Sequence, residues 1–193
     1  MRMKITGLQD VQRALKKELD KLRLPHYALV GIHESAGVEP ESDGMTVATL
    51  GAIQHFGADI DHPGGTRYVV GKDGKTRFVS NDFTGPVSGV TGPHKIKIPA
   101  RPWLDTGAAA GAQEYVDTIR DGIEEGLDSK RIMARVGLEA EGAIKDYITN
   151  LDTPPNAAST IRKKGSSNPL IDTGNMRDSV TSTVVRKKPK EGL

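Results

Sequence analysis

The apolar positions of this chain recur with two periods, and the periods predict its elements. Leu8, Val11, Leu15, Leu19 and Leu22 repeat at spacings of three and four, the mark of an amphipathic helix that stops before Pro25. Thr6 and Gln9 form a capping box at its start, each side chain satisfying a free backbone N–H. Tyr27 to His33 reads as a short buried strand, and the polar stretch Gly37 to Gly44 as a mobile loop. Thr46 caps a short helix carrying Val47, Leu50 and Ile53, with Gly57 placed to stop it. Two β-prone runs then flank Lys72-Asp73-Gly74-Lys75, which predicts a hairpin with a type I′ turn.

Asn81 to Pro93 is turn-rich and is expected to be flexible; Lys95 to Ile98 alternates as a strand closed by Pro99. Asp105 or Thr106 caps a predicted helix reaching to about Leu127. On it Ala112, Val116, Ile119, Ile123 and Leu127 form one stripe, and Glu114, Asp117, Asp121, Glu124 and Asp128 form the opposite one. The apolar stripe is expected to hold the helix to the subunit. Ser129 is predicted to cap a second helix with Ile132, Val136, Ala140, Ala143 and Tyr147 on one side. Asp152 to Pro169 reads as irregular, and Asp178 to Val185 as a final strand. This order has no βαβ repeat. It predicts an α+β fold: a small mixed or antiparallel sheet packed against an N-terminal helix and two central helices, with an inserted β-hairpin. The expected organisation is one domain over residues 1–185, with hairpin and loop inserted at 66–93, and a disordered basic tail at 186–193.

Composition narrows the function classes. With 193 residues, one Trp, four Tyr and three Phe, the core must rest on aliphatic side chains. There is no cysteine, which excludes disulfides, thiolate metal sites and cysteine nucleophiles. MRMKITGLQD lacks the apolar run of a secretory signal, and no run approaches the roughly 20 residues of a membrane span, so the expectation is a soluble protein made in the cytoplasm. The net charge of +2 is unevenly distributed. Residues 105–128 hold seven acidic side chains against Arg120 alone, while the stretch from Ser159 onward holds eight Lys or Arg against three acids. That asymmetry suits self-complementary assembly or different partners at each end; two ordinary solvated faces would give it too.

Candidate chemistry fails on spacing. Gly71 to Thr76 lacks a phosphate-binding loop, because the position five before Gly74 is Val69 and strand residues follow. His55, Asp59, Asp61 and His62 share no helical or strand face on which to collect a metal. There is no GxSxG elbow, and Glu124 and Glu125 lie on a solvated helix face. The basic clusters Arg162-Lys163-Lys164 and Arg186-Lys187-Lys188 lack interleaved aromatics for base stacking. The expectation is therefore no enzyme and no cofactor.

Three segments in fixed order carry a specific resemblance: Val47 to Gly57 (VATLGAIQHFG), Ile98 to Leu104 (IPARPWL) and Pro169 to Val180 (PLIDTGNMRDSV). With the leading helix and strand, they make the chain resemble the tailed-bacteriophage virion-morphogenesis, or tail-completion (neck, head–tail joining), family over nearly its whole length. That family's middle segment usually has Phe where this chain has Trp103, and only some members carry the Arg67–Val79 hairpin. The resemblance implies a non-catalytic homo-oligomeric ring, a hexamer, around the DNA channel in the neck of the virion. Its expected partners are a head connector or adaptor protein on one side and the tail terminator or tail tube protein on the other, with DNA passing through without sequence specificity and no membrane contact. A tail terminator capping the tube is the alternative; a nucleic-acid-binding or packaging enzyme is a remote one. Pro99, Arg101, Pro102, Trp103, Thr173 and Gly174 are the interface candidates, with Trp103 equally readable as core. Glu114, Asp117, Asp121, Glu124 and Asp128 are candidates to line the channel with negative charge.

Overall fold

The computed structural model describes residues 26–40, 42 and 44–187, together with residues 13, 15–17, 19 and 20. Those last six are helical and exposed. Leu8, Val11, Leu22, the Thr6–Gln9 capping box and the tail beyond residue 187 lie outside the described residues. The fold is α+β, with small antiparallel sheets packed against helices.

Strand β1 (Tyr27–Ile32) pairs antiparallel with β7 (Val180–Val185), the last strand, from Tyr27 opposite Val185 to Ile32 opposite Val180. Helix α4 (Ser129–Asn150) lies on this ribbon. Gly137 brings it close, since a Cβ there would stand 3.1 Å from the Ser182 side chain. Glu141 locks the contact by accepting hydrogen bonds from the Ser182 N–H (3.1 Å) and hydroxyl (3.3 Å). The core joins Val47, Trp103, Ile144, Ile148, Leu170, Met176 and Val180.

Helix α1 (Val47–Phe56) starts as predicted, with the Thr46 hydroxyl accepting from the Thr49 N–H, and stops at Gly57. Gly57 has φ +75°, and a Cβ on it would come within 2.7 Å of the Ile98 carbonyl oxygen. From there β2 (Ala58–His62) runs outward against β6 (His94–Ile98), forming an arm. At its tip β3 (Arg67–Val70) pairs with β4 (Thr76–Phe78) and β5 (Gly89–Val90) in the order β4-β3-β5. The hairpin is present, but its turn is not type I′. That turn needs positive φ at both central residues, and among the described residues only glycines have it, here Gly74. The stretch Asn81–Pro93 is tied into the sheet through β5, and the Ser88 hydroxyl accepts from the Val70 N–H at 2.8 Å.

The predicted helix to Leu127 is two helices. Helix α2 (Trp103–Ala110) begins after Pro102 rather than at Asp105 or Thr106, and helix α3 (Ala112–Glu124) follows a break at Gly111. The Tyr115 ring packs on Gly111, where a Cβ would meet its hydroxyl at 2.5 Å. Helix α4 is capped by Asp128, whose carboxylate accepts from the Arg131 N–H at 2.9 Å; Ser129 instead pairs with His26 Nδ1 at 2.7 Å. The irregular stretch contains α5 (Ala158–Lys164), ended by left-handed Gly165. A single helical turn, α6 (Asn175–Asp178), delays the last strand to Val180. Among the described residues no helix is long and apolar enough to cross a membrane.

Candidate functional site

The three segments that carry the resemblance meet in space. Gly57 ends the first segment directly against Ile98 and Ala100 of the second. The Arg101 N–H donates to the Gln54 carbonyl at 2.9 Å, and the Trp103 indole N–H donates to the Gly51 carbonyl at 3.0 Å. Trp103 then shares the core with Leu170, Met176 and Val180 of the third segment.

Arg101 is the centre of this junction. It is only 3% exposed, and its guanidinium donates to the Pro154 carbonyl (2.9 Å), Gln54 Oε1 (2.8 Å) and the Pro155 carbonyl (3.2 Å). Carbonyl and amide oxygens, not carboxylates, receive these bonds, and burial pulls its pKa below the ordinary arginine value. Two donors complete the underside of the junction. Asn168 bonds Ile148, Thr149, Leu170 and Ile171 backbone groups, and Lys164 donates to the Ile171 carbonyl at 2.5 Å. Burial lowers the pKa of that lysine. Sequence reasoning passed over Asn168, since a polar side chain in an irregular stretch carries no periodic signal, and read Lys164 only as part of the basic cluster Arg162-Lys163-Lys164.

Trp103 (3% exposed) and Arg101 therefore face into the subunit, and Gly174 is buried with φ +89°. Pro102 and Thr173 are the exposed members of the interface set, and Pro99 is half-buried. Nearby, buried His55 sits 3.3 Å from the exposed Asp105 carboxylate, while Asp61 pairs with Lys95 on the arm. Asp59 and Asp61 share one face of the β2 strand, with His62 on the other, so His55, Asp59, Asp61 and His62 do not converge. No cluster that could hold a metal occurs among the described residues.

The acidic stripe divides. Glu114 borders a cleft of about 570 Å³ between α3 and α4, which Tyr115, Glu139 and Asp146 also line. Burial, then Glu114 and Glu139, raises the Tyr115 pKa. Asp117 is tied to Arg120 at 2.6 Å, and Asp121 and Glu124 are exposed. Asp128 has left the helix to cap the next one.

The apolar stripe of α3 corrects the sequence expectation. Val116 is 50% and Ile123 48% exposed and Ala112 is exposed too, while Ile119 and Leu127 are half-buried, so only part of this stripe faces the subunit. The contact with α4 runs through Gly122 against Ile132 and through the Thr118 hydroxyl hydrogen-bonded to Glu139. The arm likewise exposes Ile60 and Ile96, which lie opposite each other on one face. No family model, curated protein or solved structure matches the chain.

Proposed function

We propose that this chain is a structural component of a tailed-phage virion that completes the head–tail joint, acting as a non-catalytic ring around the DNA channel. The observation that carries this reading is that the three family-like segments pack against one another around Arg101 and Trp103, although 111 residues lie between the first and the third. The resemblance thus spans one packed junction rather than scattered matches. The apolar residues left exposed on α3 and on the arm support it, because an assembling subunit has such surfaces to cover. In this reading the ring contacts a head connector on one side and the tail terminator or tail tube on the other. Glu114, Asp117, Asp121 and Glu124 give α3 a negative face that would repel passing DNA phosphates.

The test is disruption of the gene in a phage that carries it. DNA-filled heads and separate tails of normal length are expected, and adding the purified protein should join them. Tails of uncontrolled length would assign the chain to tube capping instead. Normally joined particles would overturn both readings.

A further inference from the structure

We propose that the arms of neighbouring copies pair edge to edge: strand β6 of one copy adds antiparallel to strand β2 of the next, setting Lys95 and Lys97 beside Asp61 and Asp59 of that second copy. This deepens the ring reading by naming a subunit contact, and it rests on that reading for self-association.

The edges are open. Among the described residues the sheet of β2 and β6 has two strands only, so each strand keeps one edge with no strand beside it. A free edge holds a row of backbone donors and acceptors ready for a further strand. A two-stranded ribbon is also marginal by itself. Ile60 and Ile96 lie opposite each other on one of its faces and are 42% and 38% exposed. A third strand with its own isoleucine on that face would cover their flanks.

Charge selects the occupant. On the other face β2 carries Asp59 and Asp61 and no cation, while β6 carries Lys95 and Lys97 and no acid. One long side of the ribbon is therefore acidic and the other basic. Asp61 and Lys95 meet at 3.0 Å within the subunit, yet their side chains stay 81% and 76% exposed, which leaves each open to a second partner on its outer side. Pairing β2 with β2, or β6 with β6, would set like charges opposite one another. Pairing β6 with β2 sets unlike charges opposite.

One register matches both lysines with both carboxylates: Lys95 with Asp61, Lys97 with Asp59, and Ile96 with Ile60 of the second copy. It repeats the register already present inside the subunit. A shift of two residues leaves one lysine unmatched, and a shift of one turns the isoleucines onto the charged face. A second copy of this chain thus offers the complementary edge, the matching spacing and an isoleucine on the correct face. The added β2 runs against β6 just as the subunit's own β2 does, so strand direction is kept from copy to copy. A contact between two different edges, repeated in this way, closes into a ring or runs on as a filament.

Exchanging the charges tests this directly. The variant Asp59→Lys/Asp61→Lys/Lys95→Asp/Lys97→Asp keeps every acid–lysine match within the subunit and between two swapped copies. A swapped edge meets a wild-type edge with like charge. The swapped protein should form oligomers of wild-type mass. Co-expressed with tagged wild type, it should be recovered on the tag at under about a tenth of the level of untagged wild type. The chain has no cysteine, so Ile60→Cys and Ile96→Cys proteins made separately carry one thiol each. A short bifunctional thiol reagent should link one of each and should not link two Ile60→Cys chains. Recovery of the swapped protein equal to that of untagged wild type overturns the proposal and leaves a ring built through another surface. A folded swapped protein that stays monomeric overturns it too. Absence of the mixed cross-link, or equal linking of two Ile60→Cys chains, overturns it even where the swapped protein fails to fold. A wild-type chain that stays monomeric at every concentration overturns the ring reading as well.

Discussion

Replacing Trp103 by alanine should cost about 3–5 kcal/mol of folding stability, the range for removing a large buried aromatic. The structure says where the loss arises. The indole is 3% exposed and lies against Gly51, where a Cβ would come within 3.2 Å of the ring. It meets the His55 ring edge-on with centroids 6.0 Å apart, and its N–H holds the Gly51 carbonyl. Helix α1, helix α2 and the last segment all lean on it, so the cavity cannot close by moving one of them. For a chain of this size about 2–4 °C of melting temperature follows each kcal/mol, so a fall of roughly 6–20 °C is expected. Trp103→Phe separates the parts. It keeps most of the apolar volume and loses the hydrogen bond, worth about 1 kcal/mol, and the total cost should stay near 1–2 kcal/mol. Urea unfolding followed by circular dichroism measures both. A loss under about 1 kcal/mol for Trp103→Ala would refute the claim that this ring organises the junction.

Arg101→Met should cost about 3–4 kcal/mol in the same assay, because it leaves the Pro154 and Pro155 carbonyls and Gln54 Oε1 without their charged donor. Arg101→Lys should recover only part, since a single ammonium cannot span three acceptors set out for a planar fork. Glu141 gives a pH dependence. Its hydrogen bond from Lys145, helped by that lysine's charge and by Ser182, holds the folded carboxyl below its ordinary value. A depressed folded pKa stabilises above the unfolded value of about 4.3, and the benefit is lost as pH falls through the lower folded value. Glu141→Gln should therefore be less stable than wild type at pH 7, with the gap narrowing in denaturation curves taken toward pH 3. Replacing Asp117, Asp121 and Glu124 together with lysine should slow DNA ejection from assembled particles without preventing assembly. The effect should be strongest at low salt, because screening at physiological salt confines it to about 8 Å from the wall. Normal ejection at low salt would count against the channel role.

Much of the body was legible because its signals are local. Thr46 opens α1 with its hydroxyl and Gly57 closes it with a positive φ, and the alternation of β7 declared a strand. The errors have physical reasons. The buried face of helix α3 is turned away from Val116 and Ile123 of the predicted stripe because its close contact is made by Gly122 and Thr118, which allow close approach and carry little hydrophobic signal. Gly111 split the helix because a tyrosine one turn later needed its space. The Asp128 cap was hidden by an adjacent serine equally suited to capping. At the junction, Arg101 and Trp103 stood out as residue types, but their partners at Gln54, Pro154 and Gly51 are about 50 residues away, a distance that local pattern cannot bridge.

The pairing of β1 with β7 has a consequence for how the subunit comes into being. Its partners stand about 150 residues apart in the chain, and Val180, fully buried, arrives with the second strand. Helices and hairpins can form early from neighbours, but this ribbon waits on a long-range closure, the slow kind of contact in folding. A nascent chain lacking its final strand has α4 with no sheet to lie on and Glu141 with no Ser182 to hold. Synthesis stopped short of residue 180 should therefore yield a chain that cannot complete its core, so truncated products are removed from the pool of subunits by their own failure to fold.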